Sequence, residues 1–139
     1  MNNTGTYRGK SIGDAIESFE NFTENFMYFN LKKEGEYREY YSNGQIRIIC
    51  NYINGKKQGE YKEYWYNGQL RVICNYKNDK IEGKCTKYYE NKNYRMIYNY
   101  KNGKYDGVCE DYWPDGNLCG RNLYKNNNLI TYNYKKVKH

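Results

Sequence analysis

The chain has 139 residues, a net charge of +7, five cysteines and a single histidine, His139 at its end. That length suits one domain. No apolar run is long enough to span a membrane, and a lone terminal histidine without a CxxC pair argues against structural zinc. Mean hydropathy is −1.22, yet 20 residues are tyrosine. A folded chain of this kind needs a thin aromatic core rather than a deep aliphatic one, and its aromatic wealth argues against disorder.

Residues 1–10 carry no periodic pattern and read as loose. Ser11 and Asp14 then form a capping-box-like start, and Ile12, Ala15, Ile16, Phe19 and Phe22 follow at helical spacing. The reading is a short amphipathic helix over about 11–23, able to cover the first edge strand or part of an apolar face. Residues 26–34 (FMYFNLKKE) match the end of the repeat unit described next, as a degenerate half-unit. Residues 1–34 are therefore an N-terminal cap.

Residues 35–130 are four 24-residue units that begin at Gly35, Gly59, Gly83 and Gly107. A fixed period settles architecture before any local reading does. Aligned on that glycine, unit position 6 is Tyr40, Tyr64, Tyr88 and Tyr112, and position 7 is Tyr41, Trp65, Tyr89 and Trp113. Position 13 is Arg47, Arg71, Arg95 and then Cys119. Asn-Gly pairs or close variants occupy positions 9–10 and again 20–21. Both suit two-residue type I′ hairpin turns, whose central residues need positive φ. Runs rich in Tyr, Ile, Val and Trp lie between them, so each unit is two strands. Lys92 stands where a turn glycine is expected, which predicts an irregular first turn in the third unit.

Such turns pair position 5 with 14, 3 with 16, and 6 with 13. In the second unit one face then holds Tyr61, Glu63, Trp65, Leu70, Val72, Cys74 and Tyr76, mostly apolar, with Glu63 as a misfit. The other holds Glu60, Lys62, Tyr64, Arg71 and Ile73 and is mostly polar, as in a half-buried sheet. The same register sets Tyr40 beside Arg47, Tyr64 beside Arg71 and Tyr88 beside Arg95, with Ile49, Ile73 and Ile97 on that face. Such pairs either merely pack across the strands or form an exposed row of residue types enriched at binding hot spots.

The fourth unit decays at Cys119-Gly120, as terminal repeats do. Residues 131–139 form a basic C-terminal tail. Charge is uneven: the cap carries −1, the units +2, 0, +4 and −1, and the tail +3. That is either a solvated basic surface or a weak attraction for an anionic partner. Cys50, Cys74, Cys85 and Cys109 fall on the apolar face as small buried hydrophobes. Position 16 is read as lying opposite the next unit's glycine, so all five cysteines are expected as free thiols. Their odd count and the lack of a leader-like segment suit a reducing, cytoplasmic location.

Tyr40-Tyr41, Asn43-Gly44-Gln45, Asn51-Tyr52, Asn54-Gly55-Lys56 and Gly59, with their equivalents in later units, resemble the MORN repeat family. The pattern looks closest to the longer-period subtype of antitoxin-like and giant-virus MORN repeat-containing proteins. The resemblance implies an all-β fold, a single curved antiparallel meander sheet of tandem hairpins, and a host-cell location if the source is viral. Members are described as scaffolds, as membrane-lipid-associated, or as antitoxin-like partners.

Catalysis needs a nucleophile–base or acid–base set, and the chain shows none: no GxSxG, no P-loop, no dinucleotide fingerprint. The recurring carboxylates Glu39, Glu63 and Asp111 read as structural. The expectation is a non-enzymatic scaffold without cofactor or metal. It docks an acidic protein partner through Arg47, Arg71, Arg95, Tyr40, Tyr64, Tyr88, Ile49, Ile73 and Ile97. The alternatives are peripheral binding of anionic lipid headgroups and antitoxin-like neutralisation of a partner protein. Nucleic-acid binding ranks below these, since no groove-reading or single-strand module is present.

Overall fold

A computed structural model describes residues 32–134. The predicted helix at 11–23, most of the half-unit at 26–34 and the tail beyond 134 lie outside the described residues. Within them the chain is all β. In order, the strands are β1 (Gly35–Tyr40), β2 (Ile46–Ile53), β3 (Lys56–Lys57), β4 (Gly59–Tyr64), β5 (Leu70–Lys77), β6 (Lys80–Ile81), β7 (Gly83–Tyr88), β8 (Tyr94–Lys101), β9 (Lys104–Tyr105), β10 (Gly107–Tyr112), β11 (Leu118–Lys125) and β12 (Asn128–Tyr134). They make one open antiparallel meander, β1-β2-β4-β5-β7-β8-β10-β11-β12. The two-residue strands β3, β6 and β9 pair β2, β5 and β8.

The two turns of each unit differ. Asn54 and Gly55 both lie at positive φ, 52° and 78°, as a type I′ turn requires, and so do Asn78-Asp79, Asn102-Gly103 and Asn126-Asn127. The first turn is not the expected two-residue turn. The Tyr41 N–H donates to the Gln45 carbonyl at 2.8 Å, and the Gly44 N–H donates to the Tyr41 carbonyl at 2.9 Å. This closes a three-residue loop in which Gly44 has φ 84° while Asn43 stays out of the left-handed region. Asn43 serves by its side chain: its Oδ1 accepts the Gln45 N–H at 3.0 Å, and Asn67, Asn91 and Asp115 repeat the bond. Lys92 takes the glycine's place at φ 70°. The third unit's turn nevertheless closes with the same two bonds, at 2.9 and 3.0 Å, so the expected irregularity does not occur.

Pairing within each hairpin runs 1 with 18, 3 with 16 and 5 with 14, as in Gly59↔Tyr76, Tyr61↔Cys74 and Glu63↔Val72. The register then slips, and Tyr64 pairs Leu70 rather than Arg71. The three-residue loop adds one residue to the second strand, and position 13 becomes the bulge. A second slip follows each short strand at the unit's first glycine: Tyr52↔Lys57 gives way to Ile49↔Lys62 around Gly59, whose φ is 83°. No atom crowds a Cβ there, so backbone conformation is what calls for glycine.

That slip overturns the expected glycine opposite position 16. The register of Val72↔Lys87 and Ile73↔Thr86 brings Cys74 beside Cys85, and the two thiols pack together in the core. This contact, with burial, holds the Cys74 thiol far above its ordinary pKa. All five cysteines are free. The core is thin: Val72, Cys74 and Cys85 are buried, with Tyr61, Tyr76, Ile81 and Tyr100 packed against them. Ile81 comes from β6, so the short strand serves to fold position 23 over the thiols. Lys33 and Lys57 take that place over the Tyr37/Tyr52 and Tyr61/Tyr76 rings, at 3.9–5.3 Å from the centroids. Lys33 and Glu34 therefore act as the last residues of a preceding unit. The Gly55 N–H donates to the Lys33 carbonyl at 3.0 Å, and the Asn54 N–H donates to Glu34 Oε2 at 2.7 Å.

Candidate functional site

The bulge decides where the arginines go. Arg71 Nη1 donates to Glu63 Oε1 at 3.0 Å, and its guanidinium lies 4.4 Å from the Trp65 ring centroid. Arg47 pairs Glu39 at 2.9 Å and sits 6.0 Å from the Tyr41 ring. Arg95 sits 5.9 Å from the Tyr89 ring. Positions 5, 7 and 13 thus share one face, and Glu63, the misfit of the sequence pattern, is the partner of Arg71. This corrects the expected placement: Arg47, Arg71 and Arg95 stand on the mostly apolar face, with positions 5 and 7, and not on the polar face beside Tyr40, Tyr64 and Tyr88. Opposite these tyrosines stand Ile46, Leu70 and Tyr94.

The second face keeps the tyrosines and isoleucines together without Arg47, Arg71 and Arg95. A register row crosses it through Arg38, Ile49, Lys62, Ile73, Thr86, Ile97, Glu110 and Arg121. Tyr94 stacks between Tyr88 and Tyr112, with centroids 5.4 and 5.7 Å away. Ile49, Ile73 and Ile97 are half-buried. The residues expected to form one site are therefore divided between the two faces.

On the arginine face the neighbouring row runs Glu39, Ile48, Glu63, Val72, Lys87, Met96, Asp111 and Gly120. The aromatic residues at position 7 bind each unit to the next. Tyr41 Oη donates to the Tyr64 carbonyl at 2.7 Å, Trp65 Nε1 to the Tyr88 carbonyl at 3.3 Å, and Tyr89 Oη to the Tyr112 carbonyl at 3.0 Å. Each ring is thereby tethered to the next unit, and the position 13 guanidinium in its own unit lies over it. Between the second and third units the side chains leave a cleft of about 160 Å³, bordered by Glu63, Trp65, Arg71, Lys87, Arg95 and Met96. Burial raises the Tyr98 phenol and the Asp111 carboxylate raises it further; its hydroxyl donates to both Asp111 oxygens at 2.8 and 3.0 Å.

Trp65, Glu63 and Lys87 were not expected as neighbours of the arginines. The signal was present: an acid at position 5 recurs with arginine at position 13 in the first two units. Among the described residues no group of three or more His, Cys, Asp or Glu side chains is placed to hold a metal ion.

Residues 33–54, 57–78, 81–102 and 105–126 match the family model of the MORN repeat variant. These segments start two residues before each glycine of the period, so the family's repeat and the 24-residue unit share one period with an offset of two residues. No curated protein matches the chain.

Proposed function

Because the chain belongs to the MORN repeat variant family, whose repeats are generally protein- or lipid-binding modules, we propose that it is a non-enzymatic scaffold that docks an acidic protein partner on its arginine-bearing face. The observation that carries this reading is the guanidinium–aromatic row. Arg47, Arg71 and Arg95 recur at one unit position, each over an aromatic ring, with Arg47 and Arg95 exposed and Arg71 half-buried. Arginine on an aromatic plate is prearranged for carboxylates and loses little freedom on binding. Tyr40, Tyr64, Tyr88, Ile49, Ile73 and Ile97 lie on the other face and serve a second contact surface or the stacking of the sheet. A cytoplasmic setting suits five free thiols. Antitoxin-like neutralisation of a partner protein is one form such docking takes.

The test is the triple variant Arg47→Ala/Arg71→Ala/Arg95→Ala against a triple Tyr40→Ala/Tyr64→Ala/Tyr88→Ala variant. Binding is measured to a glutamate-rich peptide and to phosphatidylserine vesicles at two salt concentrations. The expected result is loss of peptide binding in the arginine variant alone. Peptide binding unchanged in the arginine variant, or binding to vesicles only, overturns the reading.

A further inference from the structure

Three units carry an arginine at position 13, but only two supply its acid from within. Glu39 takes Arg47 at 2.9 Å and Glu63 takes Arg71 at 3.0 Å. In the third unit position 5 is Lys87, so the acid is replaced by a second cation. Among the described residues neither Lys87 nor Arg95 forms an ion pair. Asp111, next along the row beyond Met96, is occupied by the Tyr98 hydroxyl. We infer that the third unit receives its missing carboxylate from outside: the cleft between the second and third units is a docking site for an acidic side chain of a protein partner. This rests on the reading of the arginine face and names the one place on it where a partner's charge is required.

The repeat itself identifies the ligand chemistry. Two copies of the same backbone show what a position 13 guanidinium donates to here, and in both it is a carboxylate held beside an aromatic ring. The third copy keeps the guanidinium and the ring, with Arg95 at 5.9 Å from Tyr89, and lacks only the acid. Charge agrees: the second unit is neutral and the third carries +4. The cleft of about 160 Å³ is many times the 10–15 Å³ or so that one water molecule needs, enough for a carboxylate and the methylene bearing it. Val72 and Met96 line it and exclude water from part of its wall, which strengthens a charged hydrogen bond. Lys87 approaches from one strand and Arg95 from the next, so an entering carboxylate meets two cations on β7 and β8.

Fluorescence anisotropy with a fluorescein-labelled glutamate-rich peptide tests this. Lys87→Glu supplies the acid from within and is expected to weaken binding about tenfold or more, the loss of roughly one charge-assisted contact. Arg95→Ala is expected to do the same, and as an exposed side chain it keeps the fold. Lys84→Glu makes an equal charge change on the opposite face and is expected to shift binding less than about threefold, since exposed charges at that distance are largely screened. The glutamine version of the peptide is expected not to bind. Equal effects of Lys87→Glu and Lys84→Glu would show diffuse attraction and overturn the cleft. The arginine face survives that outcome if its triple alanine variant still abolishes binding, and both readings fall if it does not. Tighter binding of a phosphoserine peptide, or displacement by inorganic phosphate at lower concentration than by glutamate, overturns the carboxylate assignment. No binding of the glutamate peptide by the parent chain overturns the inference outright.

Discussion

The two margins of the sheet are built from the same dipeptide and do different work. At the second turns, Asn-Gly and its variants place two residues at positive φ, and the chain folds position 23 back over the core. Tyrosine packs there on tyrosine: Tyr61 on Tyr76 at 5.5 Å and Tyr100 on Tyr105 at 5.1 Å. Each of these turns also takes hold of the preceding unit, as when the Asp79 N–H donates to the Lys57 carbonyl at 3.0 Å and Asp79 Oδ1 accepts the Lys57 N–H at 2.7 Å. At the first turns only one residue is at positive φ, and the added residue rotates an arginine onto the face of Glu63 and Trp65. One margin closes the core, and the other presents charge. The difference of one loop residue separates a structural edge from a candidate binding edge, because a single-residue change of register exchanges the faces of a strand.

Several measurements would break or sharpen that contrast. The largest effect belongs to the second turn. Asn102→Val with Gly103→Val puts two β-branched residues at positive φ and is expected to cost about 2–4 kcal/mol by denaturant titration. Asn67→Val at the first turn is expected to cost about 1 kcal/mol, since only its side-chain acceptor is lost. Equal costs would refute the assignment of two turn types.

Alkali is expected to attack the tyrosine margin next. Burial, then nearby thiols, pushes the Tyr76 phenol up to about 12, and Tyr61 and Tyr100 are raised too, chiefly by burial. A folded-state pKa above the unfolded value, about 10, gives stability that is whole below pH 10. That stability is lost as pH rises through about 12. Melting temperature should be level from neutrality to about pH 8, begin to fall at about pH 8.5 as unfolded thiols ionise while the buried Cys50, Cys74 and Cys109 stay protonated, and fall further above about pH 10, with part of the phenolate absorbance appearing only on unfolding. A melting temperature unchanged through that range would mean these rings are not buried.

The smaller effects lie at the first turn. Asn67→Asp is expected to stay within about 0.5 kcal/mol of the parent, because Asp115 already makes the same turn bond at 2.9 Å. Lys92→Gly should raise stability by about 0.5–1 kcal/mol, the relief of a left-handed lysine at φ 70° less the entropy glycine costs. A loss on Lys92→Gly would mean that the lysine makes a compensating contact.

Much of this was legible in the chain. The 24-residue period, the meander, the second turns and the placement of Cys50, Cys74, Cys85 and Cys109 on one face all follow from side-chain type and spacing. The candidate site was legible only in its parts. Arg47, Arg71 and Arg95 stood out by recurrence, but Asn43-Gly44 reads alike for a two-residue and a three-residue loop, and only the first sets Tyr40 beside Arg47. The one unexplained residue of the apolar face, Glu63, was the trace of the error.

Local chemistry fixes local geometry, so residue order alone dictated which segments become strands, where the chain reverses and which faces are apolar. Register is a property of two strands at once. The bulge at position 13, the slip at each first glycine that sets Cys74 beside Cys85, and the meeting of Lys87 and Arg95 without an acid depend on how hydrogen-bonded neighbours align. Those alignments exist only when the sheet is assembled, since the backbone bonds that favour one register over its neighbour form between strands and not within them.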